Sequence, residues 1–222
     1  MLSRDVRDLA RIERLTELPG LLALLAARPM ALLNYAELAR SAGLAQSTLK
    51  RYLALLEGIF LVRTVRPWKR NLGKRLVKRP KILLADSGLA AYLLGIDAAR
   101  LARDPALAGG LLEAFVAMEI TKQTAWSKTA PALYHFRTHA DQEVDLVLER
   151  RSGEVVGIEV KASSKVGGAD LKGLRALADL AGPRFHRGIV LYTGTEVVPF
   201  GPRLHALPIN ALWRLGRSAE AG

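Results

Sequence analysis

The 222-residue chain contains no cysteine, which excludes a disulfide framework and any thiolate metal site and gives no sign of an oxidising compartment. It also lacks a long apolar run. The longest, Leu18 to Ala27, contains Pro19 and Gly20 and falls far short of the roughly 20 residues that a membrane-spanning helix needs, so no membrane partner is expected. Met1 to Glu17 alternates charges in place of the basic head and apolar centre of a signal peptide, and a cytoplasmic location is the expectation. Internal repeats and low-complexity tracts are absent too. What the chain does hold is apolar material and positive charge. Half of its residues are hydrophobic, enough to bury a substantial core, and its net charge is +12.

That charge is unevenly placed. Residues 1–100 carry 18 Lys and Arg against 8 acids, whereas residues 101–222 carry 15 against 13. A strongly basic part beside a nearly neutral one suggests that the first meets a polyanion and the second does something else. The chain is therefore read as two parts, 1–100 and 101–222. The competing reading is that the charge serves solubility alone.

Apolar residues from Val6 to Leu25 recur at helical spacing, with Pro19-Gly20 as a break between two helices. From Asn34 a compact pattern follows: a helix over Tyr35 to Ala42, a turn at Gly43, and a second helix to Glu57 with Ser47 as a plausible N-cap. This is the helix-turn-helix arrangement, whose second helix enters the major groove of DNA. Leu49, Leu53 and Leu56 form its inward stripe and leave Gln46, Thr48, Lys50 and Arg51 at its exposed beginning. Phe60 to Pro67 and Arg79 to Ala85 read as the two strands of a wing. Between residues 58 and 85 stand nine basic residues and no acid: Arg63, Arg66, Lys69, Arg70, Lys74, Arg75, Lys78, Arg79 and Lys81. Such a wing suits phosphates and makes DNA the expected partner, with steep salt dependence. The same elements also build protein-docking modules, and a basic hairpin also protects a sheet edge. Asp86 reads as the cap of a helix through Leu94, Ile96 to Gly110 as a linker.

The second part reads as helix, three strands, helix, strand, which makes an α/β domain with helices on both sides of a mixed sheet. The helices fall at Leu111 to Gln123 and Ala169 to Ala181, the strands at Ala132 to Arg137, 143–148, 158–162 and Arg187 to Tyr192. Val197 to Phe200 and Leu212 to Leu215 add terminal pieces. Because a strand alternates its side chains, Glu159 and Lys161 share a side. A hairpin turn at Arg151 to Glu154 brings Asp145 beside them. Two carboxylates hold a divalent cation such as Mg²⁺ or Mn²⁺ through hard oxygen ligands, and an adjacent ammonium orients water or neutralises phosphate charge. Alternating acid and Lys on one strand is also how a solvated sheet face looks. His135, His139, His186 and His205 show no zinc spacing. Trp68 and Trp126 are expected to pack in the core or at a hinge.

The order of elements together with Asp145 and Glu159-Val160-Lys161 resembles the PD-(D/E)XK nuclease superfamily, although Val144 stands where the consensus proline precedes the first Asp. More widely, the chain is similar to the C-terminal half of prokaryotic AAA+ family ATPases, a winged helix followed by a nuclease-like domain of unknown function. Leu112-Glu113-Ala114-Phe115-Val116, Glu143-Val144-Asp145-Leu146-Val147, Gly157-Ile158-Glu159-Val160-Lys161-Ala162 and Leu207-Pro208-Ile209-Asn210-Ala211-Leu212-Trp213 carry that likeness. The ATPase half's G-x-x-x-x-G-K-[ST] loop is absent, so ATP binding does not transfer to this chain. The resemblance implies Asp145 and Glu159 as metal ligands, Lys161 as the residue that positions the attacking water or stabilises the phosphate, and an acid on the first helix. For that acid the G-x-x-x-E motif favours Glu113 and the helical wheel favours Glu119; Glu113 is preferred. The implied activity is metal-dependent phosphodiester cleavage. The alternative is a non-catalytic DNA- or protein-binding module that serves a separate ATPase.

Overall fold

A computed structural model describes residues 17–68 and 77–214. Among these residues the chain forms seven α-helices and one nine-stranded mixed sheet, an α/β fold. The helix expected before Pro19-Gly20 lies outside the described residues; helix α1 (Leu18–Ala26) carries Pro19 in its first turn. Proline costs nothing there, because its missing N–H has no partner at that position. Strand β1 (Ala31–Leu32) leads to α2 (Tyr35–Ala42), where Asn34 accepts a hydrogen bond from the Glu37 N–H at 3.3 Å and Gly43 ends the helix at φ 65°. That left-handed turn is cheap only for glycine. Helix α3 (Gln46–Gly58) buries Leu49, Tyr52, Leu53 and Leu56. Its N-cap is Ala45, not Ser47, and no side chain caps it.

Strands β2 (Val62–Pro67) and β3 (Lys81–Leu84) pair antiparallel, and β1 joins the far side of β3. Helix, strand, two helices and two strands, with sheet order β1-β3-β2, is the winged-helix order. The expected wing tip, with Lys69, Arg70, Lys74 and Arg75, lies outside the described residues. Helix α4 (Ser87–Leu93) is capped by Asp86, which accepts from the Leu89 N–H at 2.8 Å.

The expected linker is helical. Asp97 caps α5 (Ala98–Arg103), and Asp104 caps α6 (Pro105–Trp126), accepting from the Leu107 N–H at 3.0 Å. Asp104-Pro105 therefore opens a helix, since an Asp at the cap and a Pro in the first turn form a start signal as readily as a break. Gly109 and Gly110 lie inside α6. A Cβ on Gly110 would stand 2.7 Å from Pro29 Cγ, so the glycine lets the helix press onto the α1–β1 turn.

Strands β4 (Ala132–Arg137), β5 (Glu143–Glu149) and β6 (Val155–Lys161) form an antiparallel meander; β7 (Phe185–Tyr192) runs parallel to β6. Helix α7 (Lys172–Ala181) connects β6 to β7. Beyond β7 come β8 (Val198–Pro199) and β9 (Leu204–Pro208), then a 3₁₀ turn over Ile209–Trp213. Strand β9, which pairs parallel with β7, is an addition to the expected elements, and the piece expected at 212–215 is the end of that turn as far as Arg214. The strand order is β1-β3-β2-β4-β5-β6-β7-β9-β8.

Two apolar layers sandwich this sheet. On one side α6 packs Ala114, Val116, Ala117 and Ile120 against Leu146, Ile158, Val160 and Leu191, and the same layer takes in Val65 and Leu83 from β2 and β3. On the other, Leu174 and Leu177 of α7 pack on Val144, Val147 and Val190. Here glycine is needed for space: a Cβ on Gly157 would stand 2.7 Å from Leu177 Cδ2 and 2.8 Å from Leu174 Cδ2. The winged-helix strands are edge-joined to the second part through the parallel pairs Arg66↔Tyr134 and Pro67↔His135. No described helix is long and apolar enough to cross a membrane.

Candidate acidic site

The β5–β6 register ends at Leu146↔Ile158, and Asp145 and Glu159 are the next residue on each strand. Asp145 also lies on a β-bulge. Tyr134 pairs with Val147 and Phe136 with Val144, so two residues of β5, Asp145 and Leu146, oppose the single His135. A bulge re-aims the side chains at its position. Asp145 turns into the interior, where Oδ2 accepts the Val160 N–H at 2.9 Å and the residue is only 5% exposed.

The other Asp145 oxygen meets a cation from the winged-helix part. Lys81, at the start of β3, places Nζ 3.2 Å from Asp145 Oδ1 and 2.6 Å from Glu143 Oε1. The sequence groups it with the phosphate-facing residues of the wing; it is instead 2% exposed. The reason is the strand it belongs to: all four residues of β3 are buried, and a buried lysine requires an acid partner. Burial acts against the ammonium, but Asp145 and Glu143 outweigh it and hold the Lys81 pKa above its ordinary value. Arg137 completes the edge, bonding Glu143 Oε2 at 2.9 Å and pairing with Asp141.

Glu159 and Lys161 share one side of β6, with Lys161 Nζ 2.8 Å from Glu159 Oε1. Burial opposes the Lys161 charge, and Glu159 more than offsets it, so that pKa also rises. Glu159 is 9% exposed, and its Oε2 is buried without a hydrogen-bond partner. Burial first, then the Asp145 charge, push its pKa up to about 8 against the relief from Lys161. Glu113 on α6 senses the same cluster: burial and the Asp145 charge raise its pKa to about 7, offset in part by Lys81. Glu119 instead pairs at 2.6 Å with Lys122 on its own helix. Of the two acids weighed for the helix position, Glu113 is thus the one beside Asp145.

Glu113, Glu143, Asp145 and Glu159, among the described residues, act on one another and on Lys81, Arg137 and Lys161. Among the described residues no group of three or more His, Cys, Asp or Glu stands together as a metal cage. As hard oxygen donors for a cation such as Mg²⁺ or Mn²⁺, the two acids Asp145 and Glu159 differ: both Asp145 oxygens are engaged, whereas Glu159 Oε2 has no hydrogen-bond partner among the described residues.

The other expected residues lie elsewhere. Gln46, Lys50 and Arg51 are exposed on α3, Thr48 is half-buried, and Lys50 Nζ sits 5.4 Å from the centre of the Tyr35 ring. Arg66 is exposed on β2. Trp68 is buried edge-on to Phe136, as expected, but Trp126 is 72% exposed. His135 is buried, with Nε2 2.9 Å from the Arg79 carbonyl oxygen; burial and Lys81 push its pKa down to about 4, which suits a packed neutral ring.

Fold and site together define an α/β protein with winged-helix strands joined to a mixed sheet and a buried cluster of acids and lysines at the junction. Comparison with known proteins divides the chain at nearly the same place. Residues 1–100 match a family model described as "Domain of unknown function (DUF8612)", and residues 108–212 match one described as "Domain of unknown function (DUF4143)". Over 191 residues, 85% of this chain, it is 37% identical to the uncharacterized proteins Mb2031c of Mycobacterium bovis and Rv2008c of Mycobacterium tuberculosis. The match covers 41% of each relative, so the chain spans about two fifths of their length. No solved structure matches the chain.

Proposed function

We propose that the chain is a DNA-associated protein whose Asp145–Glu159–Lys161 site performs metal-dependent phosphodiester hydrolysis, with the basic N-terminal part holding the nucleic acid. The observation that carries this reading is the Oε2 of Glu159, buried near Asp145 and without a hydrogen-bond partner among the described residues. Asp145 and Glu159 would hold Mg²⁺ or Mn²⁺. When bound, such an ion acidifies a water and offsets charge on a phosphate oxygen. Lys161, only half-buried, is placed to orient that water or to face the phosphate, and Glu113, with its raised pKa, to take up a proton.

Trp68 and Val77, which flank the basic segment 69–76, are tied to β4, the Trp68 N–H donating to the His135 carbonyl at 2.7 Å and the Val77 N–H to the Arg137 carbonyl at 2.9 Å. Arg137 in turn holds Glu143. Lys69, Arg70, Lys74 and Arg75, together with Arg66 and the exposed start of α3, would supply the phosphate contacts. A cytoplasmic location and an ATPase partner, encoded with the chain or separately, belong to the same proposal; the greater length of the relatives leaves room for such a domain.

A non-catalytic DNA- or protein-binding role is the second reading, favoured by the Lys81 ammonium on Asp145 Oδ1. Incubation with linear, single-stranded and branched DNA, with and without Mg²⁺ or Mn²⁺, separates the two. Metal-dependent products that vanish in Glu159→Gln while DNA affinity persists support hydrolysis. Salt-sensitive binding with no product on any substrate supports the second reading.

A further inference from the structure

We propose that Lys81 is a tethered cation that competes with divalent metal for Asp145, so that the winged-helix part sets the metal affinity of the acidic site. This rests on the reading of Asp145 and Glu159 as a cation site. Asp145 has both oxygens engaged, Oδ1 by Lys81 Nζ at 3.2 Å and Oδ2 by the Val160 N–H at 2.9 Å. Each carboxylate oxygen keeps a further lone pair, but an Mg²⁺ or Mn²⁺ at about 2.1 Å from Oδ1 would stand beside a positive charge. Glu159 differs in one respect: Lys161 holds its Oε1 at 2.8 Å, but its Oε2 has no hydrogen-bond partner among the described residues. An entering cation thus finds one uncommitted oxygen on Glu159 and none on Asp145.

Lys81 is not placed to swing aside. Its side chain is 3% exposed, Glu143 Oε1 holds the same ammonium at 2.6 Å, and its backbone is paired on both sides, with Leu32 of β1 and Val65 of β2. Removing the charge therefore opens Asp145 in a way that rotation of the side chain does not. Glu143, released from Lys81 but still bonded to Arg137 at 2.9 Å, then adds negative charge beside the site.

The test uses the full chain and Mn²⁺ alone, titrated by electron paramagnetic resonance at pH 8, with thermal melting in parallel. Lys81→Met should bind Mn²⁺ at least about tenfold more tightly than the wild type, and its melting temperature should climb with Mn²⁺ far more than the wild type's. Lys81→Arg, which keeps the charge, should stay near the wild-type affinity, and Asp145→Asn added to Lys81→Met should abolish the gain. If Lys81→Met does not fold without metal, recovery on refolding with Mn²⁺ is the readout: recovery supports the proposal, and none at any concentration overturns it. Equal affinity in wild type and Lys81→Met, lost in Glu159→Gln, would overturn the role of Lys81 and leave the cation site standing. Absence of Mn²⁺ binding in every variant would overturn both.

Discussion

Lys81 and Asp145 form a buried ion pair, Nζ to Oδ1 3.2 Å, across 64 residues of chain. The pair joins the third strand of a winged-helix arrangement to a bulged strand of the neighbouring mixed sheet. With the lysine 3% and the aspartate 7% exposed in their side chains, it belongs to the class in which losing one partner costs far more than the pair itself contributes. Lys81→Met should destabilise the protein by about 3–5 kcal/mol in urea unfolding. Lys81→Met/Asp145→Asn should lose less than the sum of the single changes, and a double-mutant cycle measures the difference.

Stability should fall as pH rises between about 5 and 8. Glu113 and Glu159 have folded pKa values of about 7 and about 8, raised above the ordinary carboxylate value of about 4.3. Between those values the folded chain binds more protons than the unfolded one. The stabilisation is therefore fully present below pH ~4.3 and lost as pH climbs through 7 to 8. The groups facing Glu159 are Asp145, Lys161 and Lys81. Glu159→Gln should flatten the thermal-melting profile over this window; an unchanged slope would contradict the assignment.

Close packing of α7 on the sheet predicts a different kind of sensitivity. Gly157→Val should cost about 1–3 kcal/mol by overpacking against Leu174 and Leu177. Gly173→Ala should also destabilise, because its Cβ would run into the Glu143 carbonyl oxygen. Urea midpoints test both, and a neutral Gly157→Val would mean that α7 can shift outward.

The basic segment 69–75 gives a prediction separable from the acidic site. Replacing Lys69, Arg70, Lys74 and Arg75 by Ala should weaken DNA binding and lower the slope of log affinity against log salt by up to about 0.9 for each phosphate that is no longer neutralised. Mn²⁺ binding should not change. Equal DNA affinity before and after substitution would remove these four residues from DNA binding.

Much of this architecture is legible locally. Gly43, Asp86 and the alternation around Glu159 and Lys161 each encode their structure within a few residues, through a left-handed turn, a cap and a two-residue period. Lys81 is not legible in that way. It stands in a run of basic residues that share one composition, and only the burial of all of β3 separates it from its neighbours. The signal available is the apolar run Ile82-Leu83-Leu84, which marks a strand buried on both faces and makes a lysine at its start a buried lysine. The bulge at Asp145 is equally hidden, because it depends on how β4 pairs with β5. Asp104-Pro105 and Gly109-Gly110 mislead for another reason: the residues that punctuate linkers also cap helices and admit close helix packing.

Single-turnover cleavage with Mn²⁺ measures the proposed metal-dependent hydrolysis of DNA at Glu159 and Lys161. Product from the wild type should require Mn²⁺, and Glu159→Gln and Lys161→Ala should each slow cleavage by about 10²-fold or more at saturating DNA. Cleavage that proceeds equally in all three proteins, or no cleavage by a wild type that binds both DNA and Mn²⁺, would contradict it.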